Sequence, residues 1–232
     1  MPTFVLRVWV PDRPGALGAV ASRIGAVRGD LVGIDILERG GGRAIDELVV
    51  ELPDAGLVPL LVAEVGQVDG VDVEDIRPAH DAVADPRLDA LESAALLVEQ
   101  TTVAALLDAL ATRASRDFSA DWAAVVDLNA PTPLVTVGAA PALSWLRAFV
   151  AGSAFVAGSR ASVVTSAGDT GPDDVAWAEM EAASLVIVLG RRGIPLRARE
   201  RQQLSVLARI VDHRWVELVT GPAGIRRATV VP

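Results

Sequence analysis

Residues 4–10, with the sequence FVLRVWV, run directly into residues 11–17, with the sequence PDRPGAL. The first stretch is rich in β-branched and aromatic residues and predicts a strand. The second contains two prolines and a glycine, which predicts a tight turn. Beyond the turn, apolar residues recur at helical spacing on one face: Leu17, Val20, Ala21, Ile24 and Val27. A strand, a polar turn and an amphipathic helix therefore open the chain.

The next fifty residues extend this opening to a β-α-β-β-α-β unit. Residues 32–36 alternate as in a strand, the glycine-rich segment 39–43 predicts a hairpin, and residues 45–52 return antiparallel to the first arm. A second amphipathic helix follows, and a fourth strand ends near Pro78. We therefore expect residues 1–78 to form two helices on one face of a four-stranded antiparallel sheet.

The second half of the chain follows a proline-punctuated linker over residues 79–87. It opens with a helical pattern over residues 88–110 that carries two apolar stripes, so we expect one stripe to pack on its own sheet and the other on a partner subunit. Later patterns predict strands over 122–128, 134–137, 162–165 and 183–190, a short helix over 144–150, and a final helix containing Leu204, Leu207, Ala208 and Val211.

Composition excludes several classes of protein. A formal net charge of −9 argues against binding to nucleic acid, which clustered cations would carry. No apolar run approaches the roughly 20 residues of a membrane span, so we expect no membrane contact. The absence of cysteine excludes disulfides and thiolate metal sites and is typical of a cytoplasmic protein. The chain has arginine but no lysine, and alanine and valine abound, as in the product of a GC-rich bacterial gene.

Residues 3–78 resemble an ACT domain. The resemblance rests on the turn DRPGAL at 12–17, on VGI at 32–34 and on the order of the elements. ACT domains are regulatory modules that commonly bind amino acids between two copies, where the turn of one copy faces the second strand of its neighbour. The resemblance implies a ferredoxin-like βαββαβ domain over residues 1–78.

Carried over to this chain, the ACT resemblance assigns a ligand-binding site to the turn and the second strand: Asp12, Arg13, Pro14, Gly15, Ala16, Leu17, Gly33, Ile34 and Asp35. We add Trp9, because its indole N–H lies beside the turn and can donate to a carboxylate. An ionised Asp12 only accepts hydrogen bonds, so it suits an ammonium group, while N–H groups at the helix start suit a carboxylate. The competing interpretation is that Asp12 merely caps the helix.

Residues 88–215 are similar to a GAF domain. The similarity rests on the opening helix that leads to ADWAAVVD at 120–127 and on the ending LVIVLGRRGIPL at 185–196. It implies an α/β domain over residues 88–232, with a central antiparallel sheet flanked by helices and a C-terminal tail, so the whole chain belongs to the α+β class. GAF domains bind small molecules or only dimerise. The missing bilin-linking cysteine and the short middle segment favour dimerisation, so we expect no cofactor.

Few residues suggest chemistry. His80 lies in the linker and His213 near a helix end, where a histidine usually interacts with the helix dipole. Asp169, Asp173 and Asp174 share one loop without the order of a calcium site, so we expect no metal. Two Gly-Ser turns, at 152–153 and 158–159, could form an anion nest but lack a nucleophile elbow. We expect no catalytic residue and no enzyme activity.

Two functional hypotheses remain. The first is a cytoplasmic bacterial regulator, an allosteric sensor that binds a small metabolite, most simply an amino acid, at an ACT-like homodimer interface. The second is a ligand-free dimerisation or assembly module that regulates a partner protein by contact. Replacing Asp12 by alanine separates them, because only the first requires the loss of a ligand response.

Overall fold

A computed structural model of the chain describes residues 1–79, 86–157 and 174–221. It is a mixed α/β structure, and in these ranges it has two four-stranded antiparallel sheets and six α-helices. The chain divides into two compact units, Met1–Asp89 with Arg197–Arg199, and Ala90–Leu196 with Glu200–Pro232. The predicted strand at 162–165 lies outside the described residues, as do His80, Asp169, Asp173 and the second Gly-Ser turn.

The first unit has the predicted order of elements. These are β1 (Thr3–Pro11), α1 (Ala16–Ala26), β2 (Asp30–Gly40), β3 (Arg43–Glu51), α2 (Val58–Val65) and β4 (Asp72–Pro78), with a short 3-10 turn at Ala55–Leu57. The strands lie in the order β2-β3-β1-β4, and all pairs are antiparallel. Gly41 and Gly42, both with positive φ, form the two-residue turn between β2 and β3.

One face of this sheet packs against both helices. Every second residue of β1 and β3 points toward them, because side chains alternate between the faces of a strand. The core comprises Phe4, Leu6, Val8 and Val10 of β1, Leu48 and Val50 of β3, Val20 and Ile24 of α1, and Leu61 and Val65 of α2. Burial of each large aliphatic side chain stabilises the fold by about 1.5–3 kcal/mol.

The opposite face of the same sheet contains a buried ion pair. The guanidinium of Arg7 on β1 has no solvent exposure and donates from Nε and Nη2 to Oε1 of Glu47 on β3, at 3.0 and 2.7 Å. Arg77 on β4 donates to the same oxygen at 2.7 Å. Burial disfavours the charged carboxylate, yet the two guanidinium groups hold the pKa of Glu47 below its ordinary value. Three neighbouring strands are thus joined through one carboxylate.

The second unit is built around a sheet in the order β6-β5-β8-β7. Its elements are α3 (Pro86–Glu99), α4 (Val103–Asp117), β5 (Trp122–Asp127), β6 (Val135–Gly138), α5 (Leu143–Ala157), β7 (Asp174–Met180), β8 (Leu185–Arg191) and α6 (Ala198–Thr220). Residues of α3, α4 and α6 pack on one face, and Leu146 and Val150 of α5 pack on the other. The central strand β8 is buried along its whole length because both faces are covered.

Several predictions differ from the structure. The first predicted Gly-Ser turn, at 152–153, lies within α5. The pattern at 88–110 is two helices, because Thr102 adopts an extended conformation and accepts a hydrogen bond from the N–H of Ala105, so that it caps α4. Strand β7 was not predicted, since its alternation is carried partly by alanines. The helix α1 begins at Ala16, and its N-cap residue is Gly15, so Asp12 is not its cap and Pro14 precedes its first turn.

Within the described ranges, no helix is long and apolar enough to cross a bilayer.

Candidate functional site

The turn between β1 and α1 is fixed by backbone hydrogen bonds. The N–H of Asp12 donates to the carbonyl of Gly42 at 2.9 Å, which ties the turn to the β2–β3 hairpin. Gly15 has a φ of 86°, a left-handed conformation that glycine adopts without strain. The side chain of Asp12 is half exposed, and one of its oxygens lies 3.9 Å from Nη1 of Arg39. The turn therefore holds its polar groups at the surface, beside the hairpin.

The start of α1 has free hydrogen-bond donors. Its N–H groups lack intrahelical acceptors in the first turn, as in every helix. Ala16 donates to the carbonyl of Arg13 and Ala19 to that of Gly15. No side chain caps the helix, so the N–H groups of Leu17 and Gly18 have no acceptor in the part of the chain that the structure describes. Such an end carries a partial positive charge and suits an anionic group.

Asp46 is a functional candidate that sequence analysis missed. It lies on β3, opposite Val8 of β1 and Ile36 of β2 in the register, and therefore on the face that packs against α1. Only 4% of the residue is exposed, and its Oδ1 atom has no hydrogen-bond partner. Burial raises the pKa of Asp46; Arg39 opposes that increase, and Asp12 and Asp35 add to it. A buried acceptor without a donor is rare in a core.

The start of α1 and Asp46 lie near each other for topological reasons. Helix α1 connects β1 to β2 and crosses β3, which lies between them in the sheet. Its first residue, Ala16, belongs to the same core as Val8 and Val10, and these residues pair with Asp46 and Ala44 of β3. The donors of the helix start and the acceptor of Asp46 thus occupy the same end of the unit.

The second strand supplies the other expected site residues. Gly33 packs closely on β3, since a Cβ atom there would lie 3.1 Å from Cγ2 of Val49. Ile34 is 47% exposed, and Val32 is 42% exposed. Asp35 pairs with Glu47 in the register, on the face away from α1. Strand β2 is an edge of the sheet, and no described strand pairs with its outer side.

The side chains of Trp9 and Arg13 contact other residues than Asp12, Arg39 and Asp46. Trp9 alternates with Val8 and Val10 and so points to the face away from α1, where its indole N–H donates to Glu74 at 3.1 Å. The guanidinium of Arg43 lies 5.2 Å from the centre of its ring, a cation–π distance. Arg13 is exposed and lies 3.8 Å from Asp69. In one copy of the chain, Asp12 and Arg39 lie close together at the turn, and the charges of both act on the buried Asp46.

A sequence pattern could have identified Asp46. Ala44, Asp46, Leu48 and Val50 share one face of β3, and an acidic residue in such an apolar series is the signal that marks Asp46.

Among the described residues, no group of three or more His, Cys, Asp or Glu side chains is arranged to hold a metal ion.

Comparisons with known proteins leave the family open. No protein-family model matches the chain, and no curated protein matches it. Of the solved structures, the bacteriophytochrome RpBphP3 from the photosynthetic bacterium R. palustris is 12% identical, with a TM-score of 0.44. The match covers 84% of this chain, which spans only 44% of the length of the bacteriophytochrome chain.

Two further structures match over most of their length. The chromophore-binding domain of RpBphP3 is 10% identical, with 93% of each chain covered and a TM-score of 0.42. An unknown protein from Galdieria sulphuraria is 11% identical, with 91% of this chain and 92% of that chain covered and a TM-score of 0.31. Because all three scores are below 0.5, these similarities carry no conclusion about fold or function.

Proposed function

We propose that this protein is a non-enzymatic regulatory protein that senses a small metabolite, most simply an amino acid, at an ACT-like first unit. The observation that carries the proposal is the unpartnered Oδ1 atom of Asp46 at the same end of the unit as the uncapped start of α1. An amino acid is a zwitterion, so its ammonium group suits the acceptor and its carboxylate suits the N–H groups of Leu17 and Gly18.

A second copy of the chain would complete the site. The order β2-β3-β1-β4 supports the proposal of a ferredoxin-like first unit, and it leaves β2 at the edge, where a strand can pair with another chain. The exposed side chains of Val32 and Ile34 favour such pairing. On this proposal, Gly33, Ile34 and Asp35 of one copy face the turn at 12–17 of its partner. The ligand then regulates by binding the closed pair more tightly than the open one.

A ligand-free assembly module is the second candidate, and one observation favours it. Leu88, Leu91 and Val98 are spaced by three and then seven residues along α3, and each is at least half exposed. An apolar stripe of this kind is typical of a helix that pairs with another helix. On this alternative, α3 forms the dimer contact or binds a partner protein, and the turn has no ligand.

The two candidates are separated by thermal unfolding with each of the twenty amino acids. A ligand at ten times its Kd stabilises the folded state by about 1.4 kcal/mol, which raises the Tm by about 3–6 °C. We expect one amino acid to give this shift and its N-acetyl derivative, which lacks the ammonium group, to give none. Asp46→Asn and Asp12→Ala should abolish or reduce the shift, whereas Asp30→Asn, an exposed change on β2 outside the turn, should preserve it.

The dimer surface is tested in parallel by light scattering. Ile34→Glu should produce monomers if the β2 edges pair, and Leu91→Glu should do so if α3 is the contact. If none of the twenty amino acids changes the Tm, and if Leu91→Glu but not Ile34→Glu dissociates the dimer, the assembly module replaces the sensor as the better account.

A further inference from the structure

The first unit includes three residues that are distant from the rest of it in sequence, Arg197–Arg199. The guanidinium of Arg197 pairs with Glu74 on β4 and lies 5.0 Å from the centre of the Trp9 ring, a cation–π distance. Only 13% of the Arg197 side chain is exposed, so this contact is largely shielded from water. Because Trp9 points to the face away from α1, the segment is held against that face of the sheet.

Arg199 holds the same segment to the edge strand β2. Its Nη1 atom lies 2.6 Å from Oδ1 of Asp35 and also donates to the carbonyl of Ile36, at 3.4 Å. Strands β2 and β4 are the two edges of the sheet. The two arginines of the segment therefore bind side chains from both edges, and Arg199 contacts the strand that the proposed dimer uses.

These contacts engage two of the residues expected in the ligand site. The indole N–H of Trp9 already donates to Glu74, and Asp35 is already paired with Arg199. In the proposed dimer, Asp35 faces the turn of the second copy, which contains the exposed Arg13 and the positive end of α1. Arg199 and that turn both carry positive charge, so they compete for one carboxylate.

We propose that Arg197–Arg199 is an autoinhibitory segment that competes with a second copy of the chain for β2. While Arg199 binds Asp35, the second copy is kept from this part of the strand, and pairing of two copies displaces the segment. The inference rests on the proposed function, in which β2 forms the dimer contact. A ligand that binds the closed pair more tightly also favours release of the segment, because both changes belong to the same equilibrium.

The test measures the dimer Kd of the full chain by analytical ultracentrifugation without any amino acid. Arg199→Gln should lower the Kd about threefold, the scale for a partly exposed ion pair. Arg199→Gln combined with Arg197→Gln should lower it at least tenfold, because the contact of Arg197 with Trp9 is more deeply buried. Arg209→Gln, the control, removes an exposed arginine outside the segment and should leave the Kd unchanged.

Two further variants show whether the gain runs through β2. Ile34→Glu, added to the double variant, should cancel the tighter pairing, because Ile34 is exposed on that strand. Asp35→Asn removes the charge for which Arg199 and the second copy compete, so by itself it should not tighten the dimer. A folded double variant with an unchanged Kd would overturn the proposal, as would a gain that survives Ile34→Glu.

The wild-type protein supplies a second measurement that does not depend on the folding of a variant. The Nε–H resonances of Arg197 and Arg199 are followed by NMR in protein labelled with ¹⁵N-arginine. As the protein concentration rises through the dimer Kd, both signals should move toward that of the exposed Arg209. Signals that stay unchanged while the protein dimerises would overturn the proposal.

The autoinhibitory segment and the sensor function fail separately. If no amino acid raises the Tm but the double variant tightens a dimer that Ile34→Glu dissociates, the sensor function falls and the autoinhibitory segment stands. If an amino acid raises the Tm of the wild type but the double variant leaves the dimer Kd unchanged, the autoinhibitory segment alone falls.

Discussion

Two nitrogens of the Arg7 guanidinium converge on one oxygen of Glu47, within a single sheet and without exposure of the arginine. A buried ion pair of this kind contributes little net stability relative to an apolar pair, but the loss of Glu47 removes the acceptor that Arg7 and Arg77 share and leaves Arg7 with the more distant carboxylate of Glu74, whose Oε2 lies 3.9 Å from Nη1. We therefore expect Glu47→Gln to lower the free energy of unfolding by about 3 kcal/mol.

Urea unfolding of the purified protein, followed by circular dichroism, measures this loss. Glu51→Gln is the control, because Glu51 lies at the end of the same strand and should change stability by no more than about 0.5 kcal/mol. Equal stability of the Glu47→Gln and wild-type proteins would show that the arginines find other acceptors.

The same pair predicts a response to acid. The pKa of Glu47 is lower in the folded protein than its ordinary value of 4.5, so the unfolded chain binds the proton first as the pH falls. The stabilisation that the ionised Glu47 contributes to the folded protein is complete above pH 4.5, and it is lost as the pH falls through the pKa of Glu47 in the folded protein. Unfolding free energy measured as a function of pH should decline more steeply for the wild type than for Glu47→Gln below pH 4.5.

Asp46 predicts the opposite dependence. Its pKa is raised by burial, so the folded protein binds the proton more readily than the unfolded chain does. Stability therefore falls as the pH rises from the ordinary value of 3.8 through the raised pKa. We expect Asp46→Asn to stabilise the free protein at neutral pH by about 1 kcal/mol, the scale for an unmade buried hydrogen bond. Below pH 3.8 this advantage should vanish, and its persistence there would contradict the assignment.

Gly190 predicts a rescue experiment. A methyl group at residue 190 would overlap the indole of Trp122, so Gly190→Ala should destabilise the protein by about 1–3 kcal/mol. Adding Trp122→Leu should recover part of that loss, because the overlapping ring is gone. A double-mutant cycle of unfolding free energies measures the coupling. If the effects of Gly190→Ala and Trp122→Leu on the unfolding free energy are additive, the indole of Trp122 does not lie against residue 190.

The cap of α4 predicts a smaller effect. Thr102→Ala removes the oxygen that accepts the N–H of Ala105 at 3.2 Å and should cost about 1 kcal/mol. Thr101→Ala, at the neighbouring exposed residue, should cost much less. Thermal unfolding of both variants compares them directly, and equal losses would argue against the cap.

The accuracy of the sequence predictions depended on whether the relevant signal was local. In the first unit, strand alternation, helical periodicity and the two-glycine hairpin agree with one another, and the order of elements followed from them. The break at Thr102 was missed because apolar periodicity continues across it. Asp46 was missed because its burial depends on the crossing of β3 by α1, which no local pattern records. The contact between Trp122 and Gly190 depends on cross-strand register between segments far apart in sequence.

The indole of Trp122 lying on Gly190 also constrains how this chain can evolve. If a larger residue replaces Gly190 while Trp122 is still present, its side chain overlaps the indole ring. If a smaller residue replaces Trp122 beforehand, no such overlap occurs. The order of substitutions thus matters at this pair, and ancestral sequences should show the change at 122 preceding the change at 190.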